Sequence, residues 1–119
     1  MVFLVVDDSK LARFSLIKSL KEFEPDAEVI EADNGLKAVE MYREHSPVMV
    51  FLDLTMPVMD GFEALKQIMQ MDPGAVVVVV SADIQAQAQA QVLADGAKLM
   101  VPKPISPEKM HEVFKKLVM

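Results

Sequence analysis

Apolar residues gather in five short runs: Val2–Val6, Glu28–Ala32, Val48–Leu54, Ala75–Val80 and Lys98–Val101. The runs are rich in valine, and four of them are nearly continuous rather than alternating. A strand buried on both faces reads this way, and such strands belong to parallel sheets.

Helical spacing fills the segments between and after the runs. Leu11, Phe14, Ile17 and Leu20 follow Ser9, a candidate N-cap; Leu36, Val39 and Tyr42 follow Asn34. Phe62, Leu65, Ile68 and Met69 follow Asp60, with Glu63 placed to complete a capping box. Met110, Val113, Phe114, Leu117 and Val118 form a stripe behind Ser106, with Pro107 at the first helical position.

One segment is ambiguous. "IQAQAQAQVLADG" alternates with period two, as a strand does. Gln and Ala are good helix formers, however, and Ala is poor in strands. Gly96 also stands where a glycine ends a helix. The composition predicts a helix from about Ile84 to Asp95. Alternating alanines spread all around such a helix, so its apolar face is thin and its anchoring weak.

The sum is an α/β chain of (βα)5 type, a parallel sheet between two helical layers. In open sheets of this kind, sites lie beyond the carboxyl ends of the strands.

Composition narrows the classes. The chain has 119 residues, one domain's worth, and 52% hydrophobic residues, too many for a disordered chain. A formal net charge of −6 argues against direct nucleic-acid binding, which needs a basic footprint. Cysteine is absent, so a disulfide frame or thiolate metal site is excluded. "MVFLVVDDSK" lacks the features of a signal peptide, and the run Ala75–Val80 is too short to enter a bilayer. A cytoplasmic protein without membrane insertion is expected.

The strand ends carry the chemistry. The first run ends in Asp7-Asp8, the third holds Asp53, the fourth meets Ser81, and the fifth runs into Lys103 within "VPKPI". Acids brought together resist ionising unless a cation joins them. Oxygen donors without His or Cys suit a hard ion, and Mg2+ fits best. A carboxylate beside Mg2+ can accept a phosphoryl group as a nucleophile. The ion, Lys103 and the Ser81 hydroxyl would then each take one equatorial oxygen. Taken singly, these residues have plainer readings: Ser9 and Ser81 as helix caps, Asp7 and Asp8 as acids near a helix start, Lys103 as a solvated lysine.

Two other classes share parts of this pattern. A flavodoxin-like cofactor binder needs a glycine- and hydroxyl-rich phosphate loop after the first strand, and "DDSK" has two acids and no glycine there. A haloacid-dehalogenase-type phosphatase opens an Asp-x-Asp pair at that place, but Ser9 stands two residues after Asp7.

Asp7-Asp8, "DLTMPVMDG" (Asp53–Gly61), Ser81-Ala82 and Lys103-Pro104 together resemble the receiver domain of two-component response regulators. The resemblance covers residues 1–119 in order. It implies a flavodoxin-like fold with strand order 2-1-3-4-5. It makes Asp53 the phosphoacceptor. Asp8, Asp53 and the Thr55 backbone carbonyl would bind Mg2+ directly, and Asp7 through water. Ser81 and Lys103 would contact the phosphoryl group, with the Lys103–Pro104 bond cis; Pro57 and Gly61 would shape the loop after Asp53. Thr55 and Asp83 would modulate the lifetime of the phosphoryl group.

The family often has Tyr or Phe three residues before the lysine; here the position is Met100. A flexible Met can fill the space Ser81 leaves on moving inward, or serve as plain strand packing. The implied partners are a sensor histidine kinase or phosphotransfer protein, and a downstream effector docking on the fourth helix, fifth strand and fifth helix. The protein would be a switch rather than an enzyme, catalysing only its own phosphorylation and dephosphorylation. A stand-alone, chemotaxis-type regulator is expected, a monomer or a phosphorylation-linked dimer.

Overall fold

The computed structural model describes residues 1–82 and 84–118; Asp83, Met119 and the side chain of Val118 lie outside the described residues. The elements run β1 (Val2–Val6), α1 (Lys10–Phe23), β2 (Glu28–Ala32), α2 (Gly35–His45), β3 (Met49–Leu52), α3 (Gly61–Met71), β4 (Val77–Ser81), α4 (Ala86–Ala94), β5 (Leu99–Pro102) and α5 (Pro107–Val118). All strand pairs are parallel, in the order β2-β1-β3-β4-β5. This is the flavodoxin-like arrangement expected from the resemblance.

Successive side chains of a strand point to opposite faces, and here both faces are packed. Leu4, Val6, Val50, Leu52, Val77 and Val79 join α2, α3 and Val92 of α4 in one core. Phe3, Val5, Phe51, Val78 and Val80 join Leu20 of α1 and Met110, Val113 and Phe114 of α5 in the other. The continuous valine runs are thus explained: every position of β3 and β4 is buried.

Two helices face the sheet differently from the spacing expected. Leu11 and Phe14 of α1 are 77% and 66% exposed, and Leu36 of α2 is 44% exposed. A strict spacing of three lags the helix by about 60° per step, so such a stripe winds off the buried face. The face of α1 that packs on the sheet keeps Ile17 and Leu20 of that stripe and adds Leu16 and Phe23, with Ser19 buried among them.

The caps behave as the side chains allow. Ser9, Asn34, Asp60 and Ser106 each accept a hydrogen bond from a first-turn backbone N–H. Glu63 does not reach back to complete a box; it accepts from Gln67 instead.

The period-two segment is a helix, beginning at Ala86 rather than about Ile84 because Gln85 keeps an extended ψ of 148°. It ends at Ala94 rather than Asp95, two residues before Gly96, whose φ of 112° suits glycine, with the Ala97 N–H donating to the Val92 carbonyl. Val92 alone among the residues of α4 is buried. No helix among the described residues is long and apolar enough to cross a membrane.

Candidate functional site

Chain order reverses between β1 and β3, so their carboxyl ends form the switch point of the sheet. Asp7 follows β1 and Asp53 follows β3. The Asp7 N–H donates to the Ala32 carbonyl at the end of β2, and the Asp53 N–H donates to the Val6 carbonyl. Ladder-type bonds thus carry the sheet one residue further and fix both aspartates.

Side-chain bonds then aim them. Asp7 Oδ1 accepts from the Ser9 N–H at 2.9 Å, in the turn that leads into α1. Asp53 Oδ1 accepts from the Leu54 N–H at 2.9 Å. Gly61 begins α3 directly over this turn and donates its N–H to the Leu54 carbonyl. A Cβ at Gly61 would fall on the Asp53 carbonyl oxygen and lie 2.7 Å from Leu54 Cα, so only glycine permits the approach.

Lys103 arrives from the other side. In the β4–β5 register Ser81 pairs with Pro102, and the Lys103 N–H donates to the Ser81 carbonyl. The Lys103–Pro104 peptide is cis. The ammonium lies 2.6 Å from Asp7 Oδ2 and 3.3 Å from Asp53 Oδ1.

Asp7, Asp53 and Ser81 are buried, and Asp8 is exposed beside them. Oxygens of Asp7, Asp8 and Asp53 lie within 4.8 Å of one another. Among these donors there is no nitrogen or sulfur, a set that fits Mg2+.

Burial raises the Asp53 carboxyl above its ordinary range and the Asp7 charge adds to this; Lys103 and the Leu54 N–H pull the other way without cancelling it. Burial pulls the Lys103 ammonium down, but its hydrogen bond to Asp7 and the charges of Asp53 and Asp7 outweigh that and raise it.

The remaining candidates spread outward. Thr55 is exposed, two residues beyond Asp53. Met100 is half-buried against the core shared by α2, α3 and α4. Asp83 lies outside the described residues.

Residues 3–115 match the family model of the response regulator receiver domain. The chain belongs to that family. The receiver is 43% identical to the chemotaxis protein CheY of Listeria monocytogenes over 114 residues, covering 95% of this chain and 94% of that one. It is 40% identical to the CheY of Bacillus subtilis, over 95% and 93% of the two chains. It superposes with a TM-score of 0.86 on a Borrelia burgdorferi CheX-CheY complex with BeF3 and Mg2+, at 31% identity, covering 99% of this chain and 87% of the other. A CheY-like receiver is a two-component signalling switch rather than a conventional enzyme. The flavodoxin-type and dehalogenase-type alternatives give way to this family.

Two polar residues near the site make contacts not foreseen from the sequence. Arg13 Nη1 donates to the Asp7 carbonyl at 2.7 Å, and its Nε donates to Glu31 at 2.8 Å. Ser19 Oγ donates to the Ile105 carbonyl at 2.9 Å, tying α1 to the turn after Lys103. The one available signal was that each is a polar residue inside an amphipathic helix.

Proposed function

We propose that residues 1–119 act as one receiver unit that takes a phosphoryl group on Asp53 and passes the change to a partner protein. The observation that carries the reading is the convergence of a buried Asp53 with Lys103, 3.3 Å apart, beside two further carboxylates at the switch point.

An Asp53 carboxylate oxygen attacks the phosphorus of a phosphohistidine on a sensor kinase or phosphotransfer protein. The P–N bond breaks, an acyl phosphate forms, and the leaving imidazole takes up a proton. Asp8, Asp53 and the Thr55 carbonyl would hold Mg2+ directly, and Asp7 would hold it through water. When bound, the ion neutralises charge on the transferring group. Lys103 binds one phosphoryl oxygen and the Ser81 hydroxyl another. Thr55 and Asp83 modulate the lifetime of the product by controlling access of water. The Borrelia CheY, described as a complex with BeF3 and Mg2+, supports this reading.

The added phosphate brings about −1.5 to −2 charge, if an acyl phosphate behaves like hydroxyl esters. It draws Ser81 and Lys103 toward Asp53. Their link through the Ser81 carbonyl and the Lys103 N–H couples β4 to β5. Met100 relays the shift, since it packs on the side of the sheet that carries α4. The effector docks on α4, β5 and α5. The receiver works in the cytoplasm as a chemotaxis-type regulator, a monomer or a phosphorylation-linked dimer, without direct contact to nucleic acid.

Acetyl phosphate with Mg2+ should add one phosphoryl mass to the wild-type chain and none to Asp53→Asn. Equal labelling of both would overturn the assignment.

A further inference from the structure

We infer that Arg13 is a positioning residue for the carboxylate cluster, holding the Asp7–Asp8 peptide in the orientation that Mg2+ binding needs. The inference rests on the proposed Mg2+ site.

Arg13 lies on α1, six residues beyond Asp7, and its side chain is only 14% exposed. It spends its donors in two directions. Nη1 donates to the Asp7 carbonyl at 2.7 Å, and Nε donates to Glu31 Oε1 at 2.8 Å. Glu31 belongs to β2 and pairs in register with Val5 of β1. The guanidinium thus braces the end of β1 against both α1 and β2.

The brace completes the restraint of Asp7. Its N–H is held by the Ala32 carbonyl, its Oδ1 by the Ser9 N–H and its Oδ2 by Lys103. Arg13 holds its remaining polar group, the carbonyl. That carbonyl shares a rigid peptide plane with the Asp8 nitrogen. Fixing it sets the direction in which the exposed Asp8 leaves the backbone. A lysine cannot copy this, because a point charge lacks the planar fork that serves two acceptors at set angles.

The proposal opposes simple electrostatics in sign. Arg13 is a cation near a cation site, so removing its charge should tighten Mg2+ binding through Coulomb forces. Removing a positioning bond should weaken it; losing partners that orient metal ligands costs roughly 10–100-fold in affinity.

The test is calorimetric titration of the metal-free chain with Mg2+ alone, with thermal melts recorded on the same samples. Arg13→Met should bind at least about 10-fold more weakly than wild type. Arg13→Lys, which keeps the charge, should also weaken. Tyr42→Phe, which removes a hydrogen bond to Asp72 at the far edge of the sheet, serves as a control for lost stability and should bind like wild type. Binding by Arg13→Met as tight as or tighter than wild type overturns the proposal. If that variant fails to fold, wild-type affinity in Arg13→Lys overturns it. A wild-type chain that takes up no Mg2+ overturns the metal site itself, and the positioning role falls with it.

Discussion

The Lys103 ammonium lies nearer Asp7, at 2.6 Å, than Asp53, at 3.3 Å. In this arrangement the lysine is a counter-ion to the acidic cluster. Under the proposed phosphoryl transfer it must loosen its hold on Asp7 to serve a group carried on Asp53. A cation arriving among the same carboxylates competes with it directly.

Replacing Lys103 by methionine should therefore tighten Mg2+ binding several-fold, the scale of ~1 kcal/mol for unit charges about 4 Å apart in a water-like medium. The same variant should lose most of the phosphorylation-linked change in backbone amide shifts across β5 and α4. Calorimetry and NMR measure the two effects separately. Unchanged amide shifts relative to the wild-type response would remove Lys103 from the switch.

The site also sets a pH dependence. Asp53 is raised from 3.8, first by burial and then by the Asp7 charge, so the folded chain binds its proton more tightly than the unfolded chain does. Stability of the metal-free protein should fall as pH rises from the ordinary aspartate value through the raised one. Mg2+ affinity should fall as pH drops through that window, because proton and cation compete for one carboxylate. Lys103 is raised from 10.5, so its ion pairs stabilise the fold fully below that value and are lost as pH climbs through the raised one. Urea midpoints against pH should show the acidic slope in wild type and its reduction in Asp53→Asn.

Gly61→Ala should cost about 1–3 kcal/mol, the range for forcing extra atoms into a packed site. The added methyl would press on the Asp53 and Leu54 backbone, which has no flexible side-chain end to give way. Labelling by acetyl phosphate should slow along with the loss of stability seen in denaturant melts. A variant as stable as wild type and labelled as fast would show that the turn can yield.

Ser19→Ala should cost about 1–3 kcal/mol, because it leaves the Ile105 carbonyl without its buried donor. Its effect should be read in denaturant unfolding, with amide exchange quickening in the turn after Lys103. Unchanged protection there would mean that another group takes over the carbonyl.

The strands and the site were legible from the sequence for the same reason. Burial on both faces writes β3 and β4 as unbroken apolar runs, and a carboxylate ending such a run, as Asp53 does, stands out. The helix faces were harder. Leu11 and Phe14 have the right residue types, but their spacing carries them off the buried side of α1. Alternating Gln and Ala read as either period until helix propensity decided between them. The bonds from Arg13 to Asp7 and from Ser19 to Ile105 stayed hidden because their acceptors are backbone carbonyls, which every residue carries and no residue type announces.

Helix α4 rests on the sheet through Val92 and little else. Its outward positions are therefore free to change without disturbing either core. Under the proposed docking on α4, a chain built this way acquires a new partner by rewriting the surface of one helix while the proposed chemistry at Asp53 stays the same. Partner choice and phosphoryl chemistry would then be separately mutable, and grafting another receiver's α4 sequence around Val92 should redirect the proposed signal.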